Sequence, residues 1–169
     1  MALLFMATNY AEPNSNALGP IPIAVNTTIT TPKTLLQVAT PATQKIKIVE
    51  WGISFDNTAS NTPVRCELVE TGAIAATGGT SRTPSLFDDP LGPVSLCVGG
   101  AALTCFNPSG EGTITVTRTV DAQMIPPVCQ YVKQYPLGRE PVIPVSRFVR
   151  IRAAASTAVN ALCYILWEE

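Results

Sequence analysis

The sequence predicts an all-β protein: an antiparallel β-sandwich, jelly-roll-like, or a small barrel, with an extended N-terminal arm. Three observations lead there. Thr/Val/Ile-rich runs alternate apolar and polar residues with a period of two, and 15 prolines punctuate them. No stretch sustains a period of 3.6 over the 11 or so residues that about three helical turns require. The nearest approach to a helix, residues 153–158, is too short to propagate.

Residues 1–7 are apolar but lack a basic leader and meet polar Thr8-Asn9 at once, so they suit neither a signal segment nor a bilayer span. No other apolar run approaches membrane length, and a membrane partner is not expected. Residues 8–22 mix turn formers with three prolines and show no period. The division that follows is an arm over residues 1–22 and one β-domain over 23–169.

Strand patterns then come in short order. Residues 23–30 and 33–40 are Val/Ile/Thr/Leu-rich and are separated by Thr31-Pro32. Residues 44–55 change phase: Ile46 and Ile48 share one parity, while Val49, Trp51, Ile53 and Phe55 share the other. A β-bulge near Ile48-Val49 would bring both sets onto the core face. After a polar loop at 56–61, Val64, Cys66 and Leu68 alternate with Arg65 and Glu67 as in a half-buried strand. Residues 72–112 are rich in Gly, Pro and Ser around one apolar run at 94–98, and read as irregular.

Residues 113–120 (Thr-Ile-Thr-Val-Thr-Arg-Thr-Val) alternate without a fault. Five prolines in 124–144 remove ladder donors, so that stretch is expected to cross the surface in extended form rather than supply central strands. Residues 145–152 alternate again, with Val145, Val149 and Ile151 inward and Phe148, Arg150 and Arg152 outward. Residues 159–167 are apolar on both parities, the pattern of a strand covered on both faces. One face would meet the core and the other a neighbouring subunit, which makes Phe148, Tyr164, Leu166 and Trp167 candidate interface residues.

Composition narrows the chemistry. The chain has 169 residues, enough for one domain that buries roughly 70% of its unfolded surface. It holds no histidine and only 14% charged residues, so the usual base for nucleophilic catalysis is missing and an enzyme is not expected. The pair Asp88-Asp89 before Pro90 reads as a turn, and the glycine pairs at 78–79 and 99–100 lack the context of a phosphate loop. No ligand set for zinc or calcium is recognisable, and no cofactor is expected. The five cysteines are odd in number and form no C-x-x-C pair. They read as free thiols in a reducing compartment, although the spacing of Cys97 and Cys105 permits a bridge.

A net charge of −1 argues against a nucleic-acid partner. The charge is unevenly spread: residues 44–132 hold eight acids against five bases, whereas 133–152 carry Lys133, Arg139, Arg147, Arg150 and Arg152 against Glu140 alone. Such a basic set is either a solvated strand face paired with neighbouring acids or a patch for an acidic protein surface. With 46% hydrophobic residues the chain is also expected to self-associate.

Three phrases of the back half carry a family likeness: residues 112–123, the run Tyr131-Val-Lys-Gln-Tyr-Pro-Leu-Gly-Arg-Glu-Pro141, and the closing Cys163-Tyr-Ile-Leu-Trp-Glu-Glu169. In texture residues 44–169 resemble small β-rich virion proteins of tailed bacteriophages, most of all the head decoration (capsid cement) proteins. The resemblance implies a non-enzymatic module, trimeric or otherwise oligomeric, assembled in the host cytoplasm, that sits on the outer capsid and ties major capsid subunits together. It brings no catalytic residue with it. On this reading Leu3, Leu4, Phe5, Met6 and Tyr10 grip a capsid or sister subunit at the end of a spacer able to reach about 50 Å. Arg139, Arg147, Arg150 and Arg152 then orient the contact. Two alternatives stand beside it: a tail or fibre component, and a carbohydrate-binding jelly roll, which should show exposed aromatics with polar partners.

Overall fold

The structure, a computed structural model of the chain, describes residues 2–10, 23–25, 32–55, 62–89, 91–101, 103–157 and 159–169. Within them the chain forms thirteen strands and no helix. In chain order these are β1 (Leu4–Thr8), β2 (Ile23–Val25), β3 (Lys33–Ala39), β4 (Ile46–Phe55), β5 (Val64–Thr71), β6 (Thr80–Ser81) and β7 (Ser85–Leu86). The remainder are β8 (Cys105–Phe106), β9 (Val116–Ile125), β10 (Gln130–Gln134), β11 (Val142–Ile143), β12 (Phe148–Ala154) and β13 (Val159–Glu168).

The strands form two antiparallel sheets packed face to face, a β-sandwich. The front sheet runs β10-β4-β13-β1-β7, with β11 also on β4 and β2 also on β13. The back sheet runs β6-β8-β3-β12-β5-β9. The sheets do not close on each other, so of the architectures the sequence left open the small barrel is excluded.

Alternation decides which side chains fill the gap. Phe5, Ile46, Ile48, Trp51, Ile53, Ile165 and Trp167 from the front sheet meet Leu36, Val38, Cys66, Leu68, Val149 and Ile151 from the back. Each large side chain removed from water in this way contributes roughly 1.5–3 kcal/mol. The phase change of β4 is resolved by a bulge: Leu166 faces Glu50 and Trp167 faces Ile48, which leaves Val49 as the extra residue.

Four expectations are corrected. First, residues 4–8 are not part of a free arm. β1 lies in the interior of the front sheet between β13 and β7, with Phe5 and Ala7 in the core. Its partner β13 lies at the far end of the sequence, and a five-residue alternation gave too little pattern to reveal the pairing. The rest of the expected arm, residues 11–22, lies outside the described residues, as do 26–31 and the loop at 56–61.

Second, the proline-rich stretch 124–144 supplies no central strand, as expected, but it does more than cross the surface: β10 and β11 both pair with β4 along the edge of the front sheet. The prolines flank these two strands rather than interrupting them, as an edge permits. Third, β9 starts at Val116 rather than at 113 and runs to Ile125 as the outer strand of the back sheet. Fourth, Val145 is exposed, because β12 starts only at Phe148.

The irregular stretch 72–112 has a clear role. Parts of it lie over the outer face of β3 and β12, where Gln37 donates to the Leu103 carbonyl and accepts from the Ala76 N–H. Arg150 donates to the carbonyls of Ile74 and Glu111, and Glu111 in turn accepts from the backbone and hydroxyl of Thr34. β3 and β12 are thereby covered on both faces.

Candidate functional site

The outer face of the front sheet collects most of the residues singled out from the sequence. Antiparallel register sets Met6 opposite Leu166 and Thr8 opposite Tyr164. Phe5 and Trp167 point inward together, their ring centroids 6.4 Å apart. Leu4, Met6, Leu162, Tyr164 and Leu166 therefore stand on the outer face. Asn9 fixes the end of β1 by donating to the Ala161 carbonyl at 2.8 Å and accepting from the Cys163 N–H at 2.7 Å, which positions Tyr10 beside this face.

The centre of the face is built around a missing side chain. A Cβ on Gly52 would come within 2.5 Å of Tyr164 Cε1, so only glycine lets the tyrosine ring lie across β4. The Tyr164 hydroxyl donates to Glu50 Oε1. Burial first, and then that carboxylate, push the phenol well above its ordinary pKa. Beyond β4 the outward cross-strand pairs are Glu50 with Gln134, Gly52 with Val132 and Ser54 with Gln130. Two hollows, of about 510 Å³ and about 90 Å³, lie on this face and are both bordered by Tyr10 and Tyr164.

A second surface was not foreseen. Residues 94–98 alternate, but with inverted polarity: Val94, Leu96 and Val98 are 74%, 48% and 52% exposed, while Ser95 and Cys97 are 2% and 0% exposed. The Glu169 carboxylate holds this segment in place, accepting from the Ser95 hydroxyl, the Leu96 N–H at 2.9 Å and the Trp167 indole N–H at 3.0 Å. Burial alone would raise the pKa of that carboxyl, but these hydrogen bonds outweigh it and hold the pKa below the usual value. Beside the stripe lies a groove of about 350 Å³ lined by Leu96, Val98, Leu103, Pro41, Arg147 and Phe148. The signal was present in the sequence as Val-Ser-Leu-Cys-Val; nothing in it told which parity faced out.

The basic residues do not assemble into one patch. Arg150 is fully buried under the 72–112 cover, where desolvation lowers its pKa to about 10 despite nearby Glu111. Arg152 pairs with Glu67 at 3.0 Å, and Arg65 reaches the same carboxylate at 3.0 Å. Arg139 is exposed on the turn between β10 and β11, away from β12. Arg147 borders the groove beside the 94–98 stripe. Trp167 and Phe5 belong to the core, which removes both from the candidate contact residues, and Leu3 is half-buried at the edge of that core.

All five cysteines are free; Cys129 is exposed and the other four are buried. Burial pushes the Cys66 thiol up to about 12 and also raises Cys97, Cys105 and Cys163, which makes these thiols poor nucleophiles. Among the described residues no group of three His, Cys, Asp or Glu side chains is placed to hold a metal ion. Asp89 closes a turn by accepting from the Leu91 N–H, the structural role its sequence context suggested. No protein-family model, curated protein or solved structure matches this chain.

Proposed function

We propose that this chain is a non-enzymatic virion structural protein that decorates the outer surface of a tailed-phage head by binding major capsid subunits. The observation that carries the reading is the stripe at 94–98, where a segment fixed by Glu169 turns its polar side chains inward and presents Val94, Leu96 and Val98 to solvent. Displaying apolar side chains in this way serves docking rather than folding. Arg147 at the rim of the adjoining groove favours an acidic, partly apolar partner surface. Four buried thiols of raised pKa, held among core side chains, add nothing catalytic.

The test is co-sedimentation of the purified protein with expanded, undecorated heads of the phage that encodes it. The wild type should saturate the particles, and Leu96→Asp with Val98→Asp should abolish binding while leaving the circular dichroism spectrum unchanged. Recovery with tails instead of heads would assign the protein to the tail or fibre. Sedimentation of the free protein tests the expected trimer.

A further inference from the structure

Separately from the docking role, we propose that the outer face of the front sheet is a binding groove for a neutral oligosaccharide, with Tyr164 as its stacking platform and Glu50 and Gln134 as its hydroxyl-binding bank. Three features of the face carry this. The Tyr164 ring is immobilised: the missing Cβ of Gly52 makes room for it and Glu50 accepts its hydroxyl proton. A ring held in place presents its apolar surface without the entropy loss of ordering it on binding.

The groove is also two-sided in chemistry. Met6 and Leu166 stand opposite each other on one bank. On the other bank the Glu50–Gln134 and Ser54–Gln130 pairs present carboxylate, amide and hydroxyl groups. A pyranose has this same division, with a C–H face that lies against an aromatic ring and a rim of hydroxyls that donate to carboxylates and exchange hydrogen bonds with amides. The polarity of the groove selects charge as well. Among the described residues Glu50 is met in this groove by the Tyr164 phenol, with the Gln134 amide opposite it in register and no cation paired to it, so a neutral, donor-rich ligand is favoured over an acidic one.

Size gives the third argument. The main hollow, about 510 Å³, falls within the range of small-ligand sites, roughly 300–1,000 Å³. The smaller hollow, about 90 Å³, is bordered by the same two tyrosines and continues the surface past them, so one sugar seats in the main hollow and the chain can run on across the tyrosines.

The experiment presents the full-length protein to an array of neutral and anionic oligosaccharides, followed by titration of the best neutral binder by isothermal calorimetry. Retention of neutral oligosaccharides is expected, with binding weakened about tenfold by Tyr164→Ala and several-fold by Glu50→Gln. The double variant Leu96→Asp with Val98→Asp should bind the sugar as wild type does, which separates this groove from the docking stripe. Glu50→Gln keeps the strand intact and carries the test should Tyr164→Ala fail to fold. An array on which nothing binds, one on which only anionic sugars bind, or equal binding by both groove variants would overturn the proposal. So would self-association of the wild type that Leu166→Asp abolishes, since a second copy would then occupy the face.

Discussion

Trp51 donates its indole N–H to Asp121 at 3.3 Å, across the gap between the two sheets. Tyr131 donates its hydroxyl to the same carboxylate oxygen at 2.8 Å, and its ring packs on Trp51 with centroids 5.3 Å apart. One acid on the outer strand of the back sheet thus satisfies two donors of the front sheet. At the same rim Arg118 pairs with Glu70 at 2.9 Å and also donates to the Val142 carbonyl.

Removing that acceptor should loosen the rim of the sandwich. Asp121→Ala leaves the buried indole N–H without a partner and is expected to cost roughly 1–3 kcal/mol, with Asp121→Asn costing less because an amide oxygen still accepts. Urea unfolding monitored by Trp fluorescence measures both. Equal stability of Asp121→Ala and wild type would show that water replaces the carboxylate.

Gly52→Ala places a methyl group 2.5 Å from Tyr164 Cε1, so the ring must leave its seat on β4. A loss of about 1–3 kcal/mol is expected. The Tyr164 phenol, freed from burial and from Glu50, should then titrate closer to an ordinary tyrosine, as a spectrophotometric pH titration would read. An unchanged titration curve would mean that another phenol dominates the signal.

Stability should fall in alkali. Burial first and then Asp121 raise Tyr131 and Tyr135 from 10.0 to about 12, and burial with Glu67 raises Cys66 from 9.0 to about 12. Between those limits the folded chain keeps protons that the unfolded chain has released. These groups therefore contribute fully below pH 9 and progressively less as the pH rises toward 12. Urea midpoints at about pH 8 and about pH 11 should differ, and Tyr131→Phe should reduce the difference.

Thiol labelling should divide the cysteines by position. Cys129 is exposed and the other four are buried, so an aromatic disulfide reagent should label one thiol quickly in the native protein and all five in denaturant. Two thiols missing in denaturant would reveal a bridge.

Local pattern made much of this fold legible. The β-rich composition of residues 33–40 and the alternation of 64–68 and 148–152 mark β3, β5 and β12, and the parity change in 44–55 located the bulge at Val49 to within a residue. What was not legible depends on contacts distant in sequence. Arg150 reads as a solvent-facing cation because its outward parity is clear, yet the cover that buries it comes from Ile74 and Glu111 on loops with no period of their own. The doubly apolar pattern of β13 did not tell which parity faces out: Tyr164 and Leu166 stand on the outer face, whereas Trp167 shares the parity of Cys163 and Ile165 and lies in the core. Leu4 and Met6 share the outer face with them only because β1 pairs with β13, a pairing that no short-range pattern announces.

The position of β13 bears on how the chain is made. It is the last strand in the sequence and the middle of the front sheet, joined to β4 on one side and to β1 and β2 on the other. On the ribosome β1 and β4 emerge long before the strand that unites them, so the front sheet can be completed only after β13 has been added. Until then β1 and β4 lack the strand that joins them, and Phe5, Trp51 and Ile53, held only by short edge partners, leave apolar surface open to misassociation.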